Sequence, residues 1–246
     1  MKESIEIYNS IASRKGQIAV LIDPDKCSDK TKLSELLKRA KFANVDFLFV
    51  GGSTVSQHDF IEAIEFIKQS SSIPLVIFPG ASHQISNEAD ALLYLSLISG
   101  RNPDFLIGHH VQSAQEVFEM DIEVIPTAYI LIDGGSTSSV AYVSQTTPIP
   151  SDHHSIIMNT AKAGVLQGKK LIYLDAGSGA KKPIPSQVIS RLQELNKPVI
   201  VGGGIKTREK IESLKESGTN VIVIGNQLEE NIEFLLEIED YIKTTP

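Results

Sequence analysis

The sequence predicts an α/β chain closed into a (β/α)8 barrel of the TIM type, on three observations. Two apolar strands near the end of the chain, Val199-Ile200-Val201-Gly202-Gly203-Gly204 and Val221-Ile222-Val223-Ile224-Gly225-Asn226, each stop in glycine and flank a helical segment. Glycine lets backbone N–H groups converge on an anion with no Cβ in the way, and the loops after strands 7 and 8 are the usual phosphate site of such a barrel. Apolar runs of strand length also alternate with amphipathic stretches along the chain, and there are eight such runs. Finally, the chain has 246 residues, and one barrel of this kind takes about 250 with a full core, so 1–246 reads as a single domain.

The first strand spans Gln17 to Pro24 and its helix Asp29 to Ala43; the second strand spans Asp46 to Gly52 and its helix Gln57 to Gln69. The third strand is Pro74 to Gly80. Behind it Ala81 to Asp90 offers at most a turn or two before the fourth strand, Ala91 to Ser99, so the helix here is shortened or replaced. A helix from Asp104 to Glu119 leads to the fifth strand, Glu123 to Asp133. The polar, turn-rich segment Gly134 to Pro150 that follows lies at a strand's C-terminal end, so it reads as a mobile loop over the active face rather than a domain linker. The chain continues with a helix from Ser151 to Gln167, the sixth strand from Lys170 to Gly177 and a helix from Pro185 to Leu195. The seventh strand, Pro198 to Gly204, the helix Thr207 to Ser217, the eighth strand, Asn220 to Asn226, and the helix Glu229 to Ile242 complete it. Near-continuous apolar strands separated by helices mean a parallel sheet buried on both faces, carried around by right-handed crossovers.

A formal charge of −7 and the absence of tryptophan argue against a nucleic-acid partner, which would need a basic face. The single Cys27 cannot form an internal disulfide, and Met1 to Glu6 lacks the apolar stretch of a signal peptide, so a reducing, cytoplasmic setting is expected. The longest apolar run, Ala91 to Ser99, is far short of the roughly 18 residues that span a bilayer. Peripheral contact with a membrane stays compatible with it.

Active sites in this fold lie at the C-terminal ends of the strands. The first strand ends Leu21-Ile22-Asp23-Pro24-Asp25-Lys26; an acid held at a strand tip is a good oxygen ligand for Mg²⁺, and equally Asp23 and Asp25 could form a polar turn before a helix. The second ends Gly51-Gly52-Ser53-Thr54, whose hydroxyls could complete a Mg²⁺ or diphosphate site or cap the next helix. The sixth ends Tyr173-Leu174-Asp175-Ala176-Gly177-Ser178-Gly179. Strand alternation aims Tyr173 and Asp175 the same way, and the glycines admit a phosphate close to the backbone. A phosphorylated small molecule with a hydroxyl fits, with Asp175 as candidate base. The adjacent pairs His109-His110 and His153-His154 lack the i, i+4 spacing of a helical zinc site, and Lys181-Lys182 is left unassigned.

In this order and spacing, the first-strand motif, Gly-Gly-Ser-Thr, Tyr173 through Ala180, Val201 through Ile205 and Ile224-Gly225-Asn226 closely resemble the geranylgeranylglyceryl phosphate synthases, from about Lys15 to about Glu230. These prenyltransferases join a prenyl diphosphate to sn-glycerol 1-phosphate. The resemblance implies Mg²⁺ held by Asp23, with Ser53 as the second metal position. It implies a glycerol phosphate site made of Tyr173, Leu174, Asp175, Ala176, Gly177, Ser178 and Gly179 with Gly203, Gly204, Gly225 and Asn226, in which Asp175 and Tyr173 are catalytic. It also implies that Ser96 to Pro103 leads into a prenyl groove. Many members carry Glu where this chain has Asp175, which withdraws the carboxylate by one methylene. A bacterial branch has Lys where this chain has Leu21, so the archaeal-like branch is the better match.

The expected activity is therefore ether-bond formation between sn-glycerol 1-phosphate and geranylgeranyl diphosphate in phospholipid biosynthesis, by a Mg²⁺-dependent cytoplasmic enzyme that associates as a homo-oligomer. A barrel interior is packed solid, so the prenyl chain must lie in a groove between top loops and helices, with room where Ala81 to Asp90 replaces a helix. The rival readings are another phosphate-binding barrel enzyme, an isomerase or lyase, and a non-catalytic binder of prenyl or glycerol phosphates. The residues do not specify the preferred prenyl length.

Overall fold

The computed structural model describes residues 6–26 and 29–244; Cys27 and Met1 to Ile5, on which part of the compartment reading rests, lie outside them. Eight parallel strands close in chain order: β1 (Gln17–Ile22), β2 (Phe47–Val50), β3 (Leu75–Ile77), β4 (Ala91–Leu97), β5 (Glu123–Leu131), β6 (Leu171–Asp175), β7 (Val199–Gly202) and β8 (Val221–Ile224). β1 meets β8 with Ala19 opposite Val223, which seals the barrel and leaves neither strand as an edge. Helix α1 (Ile7–Ser13) precedes β1, α2 (Lys30–Phe42) follows β1 and α3 (Gln57–Ser70) follows β2. A π-helical turn (Asp104–Gly108) and α4 (His109–Glu119) follow β4; α5 (Ser139–Ser144) and α6 (His154–Leu166) follow β5. α7 (Ser186–Leu192) follows β6, α8 (Arg208–Glu216) follows β7, and α9 (Asn226–Glu230), α10 (Phe234–Glu237) and α11 (Glu239–Thr244) follow β8.

Strand alternation sorts the apolar residues into two layers. Ala19, Phe47, Phe49, Leu93, Tyr129, Leu171, Tyr173, Ile200 and Val223 fill the barrel interior. Ile18, Val20, Leu48, Val50, Leu92, Ile172, Leu174 and Val201 face the helices outside. Helix α1, which sequence periodicity did not indicate, belongs to the inner layer. Its Ile7 and Ile11, one turn apart, are fully buried, each burial contributing roughly 1.5–3 kcal/mol. A seven-residue helix would not stand alone. The Tyr8 N–H also donates to both carboxylate oxygens of Glu123, at 3.3 and 3.2 Å, which puts an anion at the start of α1.

Two other expectations are revised. The segment 134–150 is not a loop throughout: Ser138 Oγ accepts from the Ala141 N–H at 3.3 Å and caps α5, and Ile149 then bridges back to Ile132. The single helix expected over Glu229 to Ile242 starts earlier, at Asn226, and is broken. Asn231 is extended, and its side chain accepts from the Glu233 N–H at 3.0 Å, which closes one turn and opens the next.

Among the described residues no helix stands between β3 and β4, as the sequence led us to expect. The two strands pair only through Val76 opposite Ala91 and Ile77 opposite Leu92, whereas β4 runs on to Leu97, paired there with β5 alone. The barrel wall is therefore split above Leu92. One of the exposed edge carbonyls, that of Leu95, accepts from His110 Nε2 at 2.6 Å, and His110 stacks on Tyr94 with ring centres 4.0 Å apart. The bond to a carbonyl makes Nε2 the protonated nitrogen, and burial lowers the His110 pKa, so the ring is a neutral edge cap.

Candidate active site

The strand tips converge on a cavity of about 230 Å³ over the C-terminal mouth of the barrel. Of the residues the sequence nominated, Asp23, Ser53, Tyr173, Asp175, Gly177, Ser178, Gly179, Gly203, Gly204, Gly225 and Asn226 line it. Leu174 and Ala176 do not. Alternation turns Leu174 outward into the helix-facing layer, and Ala176 is buried there too. The Ala176 backbone N–H continues the sheet by donating to the Gly202 carbonyl at 3.0 Å.

One end of the cavity is built of glycine turns. Gly177, Gly179, Gly203 and Gly204 all have positive φ, and a Cβ on Gly203 would meet the Gly177 backbone at 2.9 Å. The loops after β6 and β7 thus touch through bare backbone, which is what a phosphate site needs. Ser178 Oγ donates to Asn226 Oδ1 at 3.0 Å and ties in the loop after β8.

At the other end Asp23 Oδ1 accepts from the Asp25 N–H at 3.3 Å, and Lys26 Nζ lies 3.7 Å from Asp23 Oδ2 and 2.9 Å from Glu229 Oε2. A Cβ on Gly52 would stand 2.7 Å from Asp23 Oδ1, so the carboxylate rests in space that only glycine leaves free, next to Ser53. Burial raises the Asp23 pKa; Asp25 and Glu229 add to the rise, and Lys26 opposes it. A half-buried carboxylate among other acids, with a hydroxyl beside it, is a hard oxygen donor set that fits Mg²⁺.

Between these ends stands Asp175. Its Oδ1 accepts from the Gly177 N–H at 2.7 Å and its Oδ2 from the Tyr129 hydroxyl at 2.5 Å. Burial raises its pKa, and those two bonds oppose the rise. The phenol on Asp175 is therefore Tyr129, a residue the sequence reading did not single out. Tyr173 lies beneath, stacked on Phe78 at 4.9 Å, with its hydroxyl 2.8 Å from where a Cβ on Gly202 would be. Tyr129 sits opposite Tyr173 in the β5–β6 register, so the same alternation that aims Tyr173 inward could have found it. Lys206 also lines the cavity and was missed.

An apolar groove of about 100 Å³ adjoins the cavity, and Gly52, Ser53, Phe78, Tyr129 and Val140 line both. It leaves through the split above Leu92: Leu95 and Leu97 from the inner face of β4 and Leu92 and Tyr94 from its outer face all border it, with Ala81, Ile85, Phe105 and His109. Within Ser96 to Pro103, Leu97 borders the groove, whereas Ser96 Oγ accepts from Lys169 Nζ at 2.6 Å and Ser99 Oγ from the Leu131 N–H at 2.9 Å. The histidine pairs serve other ends: His109 and His110 form groove wall, and His153 Nδ1 lies 3.0 Å from Asp152 Oδ1 at the surface. Among the described residues no helix is long and apolar enough to cross a membrane.

Comparison with known proteins agrees over nearly the whole chain. Residues 10–244 match the PcrB family. A geranylgeranylglyceryl phosphate synthase of Chitinophaga pinensis is 46% identical over 242 residues, covering 96% of each chain. One of Korarchaeum cryptofilum is 37% identical over 224 residues, covering 91% of each. The crystal structure of (S)-3-O-geranylgeranylglyceryl phosphate synthase from Thermoplasma acidophilum, in complex with its substrate sn-glycerol-1-phosphate, superposes with a TM-score of 0.90 at 32% identity, over 100% of this chain and 99% of that one.

Proposed function

The chain belongs to the PcrB family, and from that premise we propose that it joins sn-glycerol 1-phosphate to geranylgeranyl diphosphate, giving 3-O-geranylgeranylglyceryl phosphate and diphosphate in ether phospholipid biosynthesis. The observation that carries this is the junction of a glycine-floored polar cavity with an apolar groove at Phe78, Tyr129 and Val140. An isomerase or lyase of small phosphorylated metabolites would use the cavity and have no use for the groove.

The substrates fit in one orientation. The glycerol phosphate rests on the Gly177, Gly179, Gly203 and Gly204 turns, and the prenyl tail leaves through the split between β3 and β4. The reacting carbon is then placed near Tyr129, and the diphosphate toward Asp23. Asp175 is the base, the group that ends protonated once the glycerol hydroxyl has lost its proton and the ether bond has formed. The carboxylates of Asp23, Asp25, Asp175, Glu229 and Glu230 outnumber the cavity lysines, Lys26 and Lys206, so a trianionic diphosphate needs further positive charge. Mg²⁺, held by Asp23 with Ser53, would neutralise the leaving group. Lys26 and Lys206 are placed to draw the same anion.

Glycerol 1-phosphate offered with C15, C20 and C35 diphosphates, with product identification, tests the activity. We expect ether product with C20; binding without turnover would leave a binding protein. The sn-1-phosphate should exceed its 3-phosphate enantiomer by at least about a hundredfold in kcat/KM, because phosphate and hydroxyl are fixed from different sides. Equal efficiency would overturn that placement.

The base must be ionised to accept a proton, and the Asp175 pKa is raised. kcat should therefore fall as pH drops through that pKa, and at a higher pH than an ordinary aspartate near 3.9 would give. A kcat profile between about pH 4 and 8 reads the limb directly. We also place the enzyme in the cytoplasm, as a homo-oligomer. Ile107, Val111 and Phe118, exposed at helical spacing along the α4 region, give self-association an apolar face.

A further inference from the structure

We propose that Tyr129 is a proton relay between the glycerol hydroxyl and Asp175; the inference rests on the reading of Asp175 as the base. As the glycerol oxygen bonds to C1 of the prenyl group, the bond from C1 to the diphosphate oxygen breaks and its electron pair leaves with the diphosphate. The hydroxyl proton passes to Tyr129 Oη while the Tyr129 proton passes to Asp175 Oδ2. Asp175 ends protonated, and Tyr129 ends neutral with a new proton.

Four features lead there. First, both oxygens of Asp175 are engaged, Oδ1 by the Gly177 N–H at 2.7 Å and Oδ2 by Tyr129 at 2.5 Å, so the phenol covers the oxygen that is not tied to the backbone. Second, Tyr129 borders both the polar cavity and the apolar groove, whereas Asp175 borders only the cavity, so the phenol stands nearer to where C1 must lie. Third, the ring is held: Phe78 packs edge-on at 5.7 Å and Tyr173 edge-on at 5.5 Å. In the β5–β6 register Leu131, not Tyr129, is level with Asp175, so the bond runs diagonally, from one layer lower on the neighbouring strand. Fourth, burial, followed by the Asp175 charge, pushes the Tyr129 pKa well above the ordinary phenol range, so no free phenolate stands in the site and the two proton shifts must be coupled. An aspartate is one methylene shorter than a glutamate, and the phenol spans what the side chain lacks.

The test is Tyr129→Phe made in two backgrounds, Asp175 and Asp175→Glu, with kcat, KM for glycerol 1-phosphate and the pH profile of kcat measured for each. With Asp175 present, we expect kcat to fall about a hundredfold with KM unchanged within about twofold. The acid limb should also move to higher pH, because the lost bond had favoured the charged carboxylate. In the Asp175→Glu background the same substitution should cost less than about fivefold, since the added bond of about 1.5 Å carries the carboxylate toward the position of the missing oxygen. An equal fractional loss in both backgrounds would show that Tyr129 acts without Asp175 and overturn the relay. So would a near-wild-type kcat for Tyr129→Phe. Failure of the base reading has a different signature: Asp175→Ala would then keep its rate with Tyr129 untouched.

Discussion

Asp23→Asn should abolish Mg²⁺-dependent turnover, by about a thousandfold or more, and leave the affinity for glycerol 1-phosphate within about twofold. The substitution keeps the size of a side chain that sits where a Gly52 Cβ would stand 2.7 Å from it, so local packing survives. It removes the charge that, on the proposed reading, would hold a hard cation, and loss of such an ion's charge stabilisation at a departing diphosphate would be worth several kcal/mol; a thousandfold corresponds to about 4 kcal/mol. On the proposed reading the glycerol phosphate would rest at the other end of the cavity, on the Gly177, Gly179, Gly203 and Gly204 turns, which do not involve Asp23. Calorimetric titration of glycerol phosphate and of inorganic diphosphate, each with and without Mg²⁺, separates the two ends. Normal turnover, or joint loss of glycerol phosphate binding and activity, would make Asp23 a member of the fold rather than of a metal site.

Asp175→Ala should bind glycerol 1-phosphate yet turn over at least about a hundredfold more slowly, the usual contribution of a positioned base. The Tyr129 hydroxyl and the Gly177 N–H hold the carboxylate in one position, so the substitution removes an oriented group and not a mobile one. Asp175→Glu should retain activity. An alanine variant working at the wild-type rate would reduce the carboxylate to a brace for the Gly177 turn. Single-turnover measurement with both substrates bound tells slow chemistry from slow product release.

Most of the barrel was legible because each strand carries its own signal, an apolar run ending in small or polar residues, and that signal survives without knowledge of neighbours. The glycine tips likewise marked the bare-backbone turns that line one end of the cavity. What escaped depends on register. That β3 stops opposite Leu92 while β4 continues to Leu97 is a relation between two strands, and so is the diagonal meeting of Tyr129 with Asp175. Leu174 and Ala176 were included because a motif was carried over as an unbroken run, although the alternation that selected Tyr173 and Asp175 also sends Leu174 outward. Helix α1 escaped for lack of length: two buried isoleucines one turn apart are too few to show a period.

With a prenyl tail in it, the split above Leu92 would change what the substrate is to the protein. Elsewhere in the barrel a helix covers the outer face of the strands; beside β4 that covering is incomplete, and apolar side chains from both faces of one strand border the same channel. A prenyl tail lying there would occupy the place of the absent helix, as a removable stave in the wall. The enzyme would then gain its last piece of cladding with each lipid it accepts and surrender it with each product it releases, so that the shape of the barrel is completed by its own cargo.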